Sequence, residues 1–288
     1  MSVPKIILLA PNASFLVTSR FLLGLADEIE FQLPPLSAPP VTGVTVAHDL
    51  LAGYDSVNLF IERSRESKPD FAITDANAHD IAQICTELEG IPLAIELAAA
   101  RIRIMQPSQI VAKLHQKFEL LSSSRRDLPQ RQRTLLGAID WSYELLREHE
   151  KAALTQLALF HGGFFLEAAE AVVNLEAHPG CPLVMDVVQA LREKSFLRAI
   201  DVQGQVRFGM YKTLHDYMGE KIALMLVRDK ERSINSMATH YTRYIQSNHE
   251  QNRGERGIET SRLTLLEIEN LAALDGRFRD AGNGGKLA

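Results

Sequence analysis

The sequence predicts a mainly α-helical protein with a small α/β part at its N-terminus. Apolar residues recur at helical spacing through residues 46–121 and again through residues 235–280, as they do in amphipathic helices. The run Phe15–Arg20 is apolar and β-branched, which favours a buried parallel strand. Two short runs, Phe196–Ile200 and Gln205–Met210, flank a glycine-containing turn and predict a β-hairpin.

The composition is that of an ordinary globular protein. The chain has 288 residues, of which 46% are hydrophobic and 23% charged, so it is long enough for about two domains with proper cores. Its net charge of −5 gives no overall basic character, which argues against a general nucleic-acid binder. No apolar run reaches the roughly 18 residues that a membrane span needs. We therefore expect a cytoplasmic protein without a membrane partner.

The chain lacks the sequence patterns of common enzyme and metal sites. Cys85 and Cys181 are far apart and form no C-x-x-C pair, so both are expected to be reduced, buried thiols. No H-E-x-x-H, G-x-S-x-G or G-x-G-x-x-G string occurs in the sequence. We therefore predict no catalytic residue and no metal ligand.

Prolines and glycines divide the chain into helices and linkers. After the hairpin, a long helix is predicted to begin near Lys212, and residues 235–280 form two more helices. In the first half, Thr74 is predicted to be an N-cap. The helices predicted there are His48–Ser64, Thr74–Glu89, Pro92–Ile104 and one that begins at Pro107. The segments predicted for the whole chain are residues 1–40, 41–122, 123–230 and 231–288.

The corner Gly90–Pro92 is the most informative local feature. Gly90 suits the left-handed position at the end of the preceding helix. Pro92 suits the first turn of the next helix, where its missing N–H costs nothing. A proline ring held rigidly between two helices offers a flat apolar surface to a planar ligand. Gly-x-Pro turns are also common between helices, so a purely structural joint is the alternative.

The longer string Gly90–Arg101, GIPLAIELAAAR, resembles the Gly-x-Pro motif of the STAND signal-transduction ATPases, which include the NB-ARC proteins. It is most similar to the ATPase modules of bacterial LuxR-type and SARP-type transcriptional regulators. Phe15–Arg20 resembles the sensor-1 strand of this family, and Leu33–Leu36 resembles its next short strand. The resemblance implies that Pro92 packs on the adenine of a bound nucleotide and that Arg20 senses its terminal phosphate. An arginine that only caps a strand end is the alternative for Arg20.

Later motifs extend the resemblance over residues 6–285. Thr134–Leu146, Phe160–Phe164, Glu167–Val172 and Leu191–Leu197 resemble parts of the family's winged-helix domain. For the four predicted segments, the resemblance therefore implies, in order, the end of a P-loop NTPase sheet, a helical lid, a winged helix and the start of a TPR-like helical repeat region.

A histidine after the hairpin has more than one interpretation. In the family, a Met-His-Asp motif opens the helix that follows the wing, and its histidine reaches the β-phosphate of ADP. Leu214–Tyr217 resembles that motif, which makes His215 the nucleotide contact. An alternative register places Met210–Lys212 at the motif and His215 one turn further on. A helix histidine paired with a carboxylate is the structural alternative.

One motif that the family needs for nucleotide binding does not occur. No G-x-x-x-x-G-K-[ST] phosphate loop is found in the sequence, and Lys5–Ala10 carries no acidic residue for magnesium. We therefore expect a piece, truncated or from a split gene, that begins after the catalytic half of the nucleotide domain and does not hydrolyse ATP alone. ATP or ADP with Mg²⁺ is expected only in an intact parent protein, and no cofactor is expected for this chain by itself.

These expectations favour a regulatory switch, the lid and winged-helix part of a nucleotide-dependent signalling protein linked to transcription. Its partners would be an upstream P-loop half or other protein domains. The first alternative is a winged helix that binds DNA itself, but its recognition helix, about Pro182–Lys194, carries charges that sum to zero. We therefore do not expect direct DNA binding. The second alternative is a scaffold or protein-interaction fragment.

Overall fold

The part of the chain that the structure describes is mainly helical. The described part of the chain also contains one three-stranded antiparallel sheet. None of the described helices is both long and apolar enough to cross a lipid bilayer. The computed structural model describes residues 16–19, 25, 28–31, 33–40, 48–121, 134–251 and 263–280.

The chain divides into two compact units. The corner unit, named after the Gly-x-Pro corner, consists of the described residues of Leu33–Arg147 and Lys212–Tyr217. The wing unit, named after the hairpin, consists of the described residues of Met1–Gln32, Glu148–Tyr211 and Met218–Ala288. The four segments predicted from the sequence stay predictions.

The corner unit is built from helices around one apolar core. In chain order they are α1 (His48–Leu51), α2 (Asp55–Ser67), α3 (Ala78–Glu87), α4 (Pro92–Ala99) with a 3₁₀ turn (Ala100–Arg103), α5 (Pro107–Lys113) with a second 3₁₀ turn (Leu114–Gln116), α6 (Lys117–Leu120) and α7 (Leu135–Glu144). Fully buried members of the core include Leu51, Phe60, Ile81, Ile84, Leu88, Ile95 and Ile110.

The helix predicted over His48–Ser64 is split into α1 and α2. The amides of Gly53 and Tyr54 donate to carbonyls of α1 over 3.3 and 3.1 Å and form a tight turn. A glycine weakens a helix because its backbone loses the most conformational freedom there. The second helix then begins at Asp55, whose amide donates to the Ser37 hydroxyl oxygen over 2.9 Å.

Two further helix boundaries differ from the prediction. Thr74 is not the N-cap of α3, because Asn77 takes that position and its side-chain oxygen accepts a hydrogen bond from the Thr74 amide. The helix predicted over Pro92–Ile104 is α-helical only to Ala99 and then tightens into the 3₁₀ turn. The start of α5 at Pro107 is confirmed.

The buried strand predicted over Phe15–Arg20 is wrong for the part of it that the structure describes. Residues 16–19 have no strand conformation, and Leu16 is 98% exposed. A parallel strand needs neighbours that complete its hydrogen bonds and cover its faces. No strand in the described ranges pairs with this run. Leu33–Leu36, the next predicted strand, is irregular as well, and Arg20 lies outside the described residues.

The wing unit combines helices with the sheet. The predicted hairpin is confirmed as β2 and β3, and the helix after it begins at Lys212 as predicted. The sheet order is β1-β3-β2, and the sequence did not predict the short β1. The elements are α8 (Glu148–Leu157), β1 (Phe164–Phe165), α9 (Leu166–Val172), α10 (Val184–Glu193), β2 (Arg198–Val202), β3 (Gln205–Gly209), α11 (Lys212–Ala223, of which Lys212–Tyr217 group with the corner unit), α12 (Val227–Gln251) and α13 (Ile268–Asp280).

A buried polar network ties β3 to the C-terminal part of the wing unit. The Arg207 guanidinium, 3% exposed, forms an ion pair with Glu267, 2% exposed, and donates to nearby backbone carbonyls. The Tyr241 hydroxyl and the Asn270 side-chain amide donate to Glu267 over 2.5 and 2.8 Å. Burial, followed by the Glu267 charge, raises the pKa of Tyr241 and keeps its hydroxyl a donor. Both buried charges are thus paired and hydrogen-bonded, as a protein interior requires.

Candidate functional site

The corner between α3 and α4 is built on two consecutive left-handed residues. The Glu89 amide donates to the Thr86 carbonyl over 3.0 Å, and the Gly90 amide donates to the Cys85 carbonyl over 3.2 Å. This pair of bonds is the Schellman arrangement of a helix end. Gly90 is left-handed (φ 68°), as predicted, but the first left-handed position belongs to Glu89 (φ 53°). A residue with a Cβ atom is strained by about 1–2 kcal/mol in this conformation.

A close backbone contact makes glycine necessary at position 90. The Leu36 amide donates to the Gly90 carbonyl over 3.0 Å. A Cβ atom on residue 90 would lie 2.0 Å from the Leu36 carbonyl oxygen, far inside any real contact distance. The corner therefore holds the irregular segment 33–40 through an approach that only glycine allows.

Pro92 begins α4 and leaves its ring at the surface. It occupies the first turn of the helix, as predicted, and is exposed. The helix thus anchors the corner in the core while an apolar ring stays open to solvent, which stacking on a planar ligand requires. The buried residues of α4 are Ala94, Ile95, Leu97, Ala98 and Ala99.

Two acidic residues of the corner contact the first turn of α11. The Thr213 amide donates to the Glu89 carboxylate over 3.0 Å, and the Lys212 ammonium donates to the Glu87 carboxylate over 2.5 Å. Tyr211, at the N-cap position of α11, makes no side-chain capping bond. Glu89 therefore caps this helix from a distant part of the chain, where a negative charge is favourable. The hydrogen bond with Glu87 raises the pKa of Lys212.

A buried lysine pairs with the same turn from α6. Lys117, 5% exposed, forms an ion pair with Asp216 over 2.6 Å, and its ammonium lies 3.4 Å from the Thr213 hydroxyl oxygen. The Tyr217 hydroxyl donates to Asp140 over 2.5 Å. Burial, followed by this hydrogen bond, raises the pKa of Tyr217. The N-terminal part of α11, Lys212–Tyr217, is therefore held by charged groups on several elements of the corner unit.

His215 lies on this turn, two residues after Thr213, and is half-buried. The structure places Gly90, Pro92 and His215 in one unit and joins the corner to the first turn of α11 at the contact between Glu89 and Thr213. In the alternative register, the Met-His-Asp-like motif falls on Met210–Lys212, which connect the end of β3 to the first residue of α11. Both registers, and the nucleotide contacts assigned to these residues, stay predictions.

Sequence reasoning missed Glu89 and Lys117 as members of this site. Lys117 falls at helical spacing with Leu114 and Leu121, which are buried, and a charge on such an apolar stripe indicates a buried ion pair. Its partner Asp216 is remote in sequence and could not be named. The left-handed backbone of Glu89 has no sequence signal, since glycine or asparagine is expected there.

The segment that was predicted to be a recognition helix, which contains α10, has two basic residues engaged within the wing unit. An Arg192 nitrogen of α10 lies 3.6 Å from a Glu30 carboxylate oxygen. Lys194, just after α10, donates to the buried Glu150 carboxylate over 2.6 Å. Cations that are already paired are less available to DNA phosphates, which supply most of the affinity of DNA-binding proteins.

The wing unit also contains a surface hollow. This hollow of about 750 Å³ runs along α12 and is lined in part by Arg232, His240 and Arg243. None of the described nucleotide candidates lines it, and burial lowers the pKa of His240. Across the described ranges, no group of three or more His, Cys, Asp or Glu side chains is arranged to hold a metal ion.

Known proteins provide partial matches to this chain. A Mycobacterium tuberculosis protein, whose name provisionally describes it as an HTH-type transcriptional regulator, is 38% identical over 213 residues, which is 74% of this chain and 22% of that protein. A second Mycobacterium tuberculosis protein, named as uncharacterized, is 33% identical over 214 residues, covering 74% of this chain and 51% of its own length. The chain thus spans between about a fifth and a half of these relatives. No protein-family model matches it.

Proposed function

We propose that this chain is a regulatory switch segment of a cytoplasmic, nucleotide-dependent signalling protein linked to transcription. The observation that carries the proposal is the contact between the Gly-x-Pro corner and the first turn of α11, made by Glu89 and Thr213. These are the two elements to which the STAND resemblance assigns nucleotide contacts. The 38% identical relatives, whose names provisionally describe them as HTH-type transcriptional regulators, support the regulatory context.

In this proposal, three side chains meet the nucleotide. Pro92 stacks on the adenine, His215 meets the β-phosphate and Arg20 meets the terminal phosphate. The exposed ring of Pro92 supports the first role, and the position of His215 on the turn tied to the corner supports the second. A guanidinium fork suits phosphate oxygens. The phosphate loop and Mg²⁺ belong to another segment or chain, because the sequence contains no Walker A string.

The switch works by a difference in nucleotide affinity between two states. ADP favours the state in which the corner and the first turn of α11 are joined, and ATP favours their separation. A ligand shifts such an equilibrium only by the difference in its affinity for the two states. Opening breaks the contacts of Glu87, Glu89 and Lys117 with the turn and frees surfaces for oligomerisation and for activation of a linked DNA-binding domain.

Nucleotide titrations of the chain alone and of a fusion test this proposal. Alone, we expect no saturable binding of fluorescent ADP and no Mg²⁺-dependent ATP hydrolysis above background. Fusion behind a STAND segment that carries Walker A and Walker B motifs should give ADP binding tighter than that of the added segment alone. Turnover by the chain alone, or a fusion that binds no better than the added segment, would contradict the proposal.

Direct DNA binding by the winged helix is the competing function. The ion pairs of Arg192 and Lys194 argue against it, as does the zero net charge of the predicted recognition helix. A sequence-selective gel shift that weakens steeply with salt would favour this competitor.

A further inference from the structure

We propose that Glu89 and Gly90 form a coupling joint, in which the Glu89 carboxylate latches the first turn of α11 and the Gly90 carbonyl holds residues 33–40. This inference rests on the proposed switch for its biological meaning. It identifies the residues that couple the first turn of α11 to residues 33–40. Its contacts and its test require no nucleotide.

The joint is held in an unfavourable backbone conformation by a specific contact. Left-handed backbone is disfavoured for any residue with a Cβ atom, yet Glu89 adopts it at φ 53°. Its carboxylate accepts the hydrogen bond of the Thr213 amide at 3.0 Å. That amide lies in the first turn of α11, where amides have no partner within their own helix. The two backbone hydrogen bonds at the end of α3 and the bond to Thr213 together hold this strained residue, and loss of the bond to Thr213 removes its side-chain support.

The contact with α11 and the contact with residues 33–40 are made by two adjacent residues, Glu89 and Gly90. The side chain of Glu89 bonds to Thr213, and the carbonyl of Gly90 accepts the Leu36 amide over 3.0 Å. Backbone rotation at residue 89 turns the following peptide and moves the Gly90 carbonyl away from Leu36. Loss of the latch at α11 therefore weakens the hydrogen bond that holds Leu36, while the bonds of Ser37 and Pro39 remain.

The coupling extends from residues 33–40 to the start of α2. The Ser37 hydroxyl oxygen accepts the Asp55 amide over 2.9 Å, and the Ser37 hydroxyl donates to the Asp55 carboxylate over 3.0 Å. The Ser37 carbonyl accepts the Ser56 amide over 3.1 Å. A ligand that moves the first turn of α11 thus changes the segment that caps α2, and a ligand that moves the segment changes α11 by the same coupling free energy.

Three substitutions of Glu89 separate the effect of its hydrogen bond to Thr213 from the effect of its strained backbone. Glu89→Ala removes the carboxylate and keeps the strain, so the amides of both Thr213 and Leu36 should exchange with deuterium about tenfold faster. Glu89→Gly removes the carboxylate but favours the left-handed backbone, so only the Thr213 amide should accelerate. Glu89→Gln keeps an oxygen acceptor, and both amides should exchange within about threefold of their original rates.

The readout is hydrogen–deuterium exchange of peptides that cover residues 33–38 and 211–217. Gln83→Ala, an exposed change on α3, is the matched control and should alter neither peptide. Peptides from α5, which belongs to the corner unit, report any general loss of its stability, because such a loss would accelerate their exchange as well. If the Thr213 amide exchanges at its original rate in Glu89→Ala, the proposed contact between Glu89 and α11 is contradicted. If the Thr213 amide exchanges faster in Glu89→Ala but the Leu36 amide does not, the proposed coupling is contradicted. Either failure leaves the nucleotide titrations unaffected, so the two proposals fail separately.

Discussion

Gly90 satisfies two constraints at once, a left-handed backbone and a backbone neighbour that leaves no room for a Cβ atom. The preceding Glu89 satisfies a different pair, because it tolerates a strained backbone while its carboxylate caps α11. In the corner, Glu89 and Gly90 therefore each adopt a left-handed backbone that turns the chain, and each also makes a hydrogen bond with a distant residue. Substitutions there should therefore have larger effects than the exposure of the side chains indicates.

Replacement of Gly90 by alanine should destabilise the protein by roughly 2–4 kcal/mol, because a strained backbone and a clash add together. The added Cβ would lie 2.0 Å from the Leu36 carbonyl oxygen. Chemical denaturation monitored by circular dichroism measures the loss. Gly53→Ala is the control, since its Cβ would meet the Leu50 carbonyl oxygen at an ordinary 3.4 Å. Equal losses in the two variants would show that the contact with Leu36 is unimportant.

The two cysteines should differ in reactivity. Burial raises the pKa of the Cys85 thiol to about 12, whereas Cys181 is half-buried. Alkylation needs the thiolate and access to it. At pH 8, iodoacetamide should therefore modify Cys181 in the folded chain and spare Cys85, and both should react after denaturation. Mass spectrometry of the peptides measures this, and early modification of Cys85 would contradict the buried core around α3.

At the scale of elements, the Arg207–Glu267 pair shows how side chains far apart in sequence join β3 to the C-terminal part of the wing unit. Tyr241 of α12 and Asn270 of α13 complete the shell of the Glu267 carboxylate. A buried ion pair of this kind is little more stabilising than a well-packed apolar pair of similar volume. Loss of one partner is costly, however, because it leaves an unpaired charge in the protein interior.

Arg207→Met should therefore cost about 3–5 kcal/mol. The double variant Arg207→Met/Glu267→Gln should recover part of that loss, because the unpaired charge is gone. Urea denaturation of the single and double variants measures both effects. Arg198→Met, at an exposed position of β2, serves as the control and should change stability by less than about 1 kcal/mol. A double variant that is less stable than Arg207→Met would contradict this account of the network.

Local patterns predicted the elements that depend on local sequence. The hairpin β2–β3, the start of α11 at Lys212 and the prolines that open α4 and α5 were all correctly placed. β1 was missed because two residues carry no periodicity, and its identity depends on pairing with β3. The latch between Glu89 and Thr213 could not be predicted, since it joins distant segments through a backbone conformation without a sequence signature.

At the scale of the whole molecule, the fold predicted from the sequence and the structure agree on a mainly helical chain with a β-hairpin. They differ at Phe15–Arg20, where the described residues are exposed instead of forming a buried strand. The apolar, β-branched pattern of that run predicts a buried strand, but no strand among the described residues pairs with it. Of the candidate nucleotide contacts, Gly90, Pro92 and His215 lie in the corner unit, and Arg20 lies outside the described residues.

The most direct test of the switch is the ADP affinity of the fusion with a P-loop segment, measured by isothermal titration calorimetry for Pro92→Ala against the unchanged chain. If Pro92 stacks on adenine, its loss should raise the Kd about five- to tenfold, which corresponds to roughly 1 kcal/mol of binding free energy. Pro182→Ala, an exposed proline just before α10, should leave the Kd within about twofold. An unchanged Kd in Pro92→Ala would contradict the central claim that this corner faces a nucleotide.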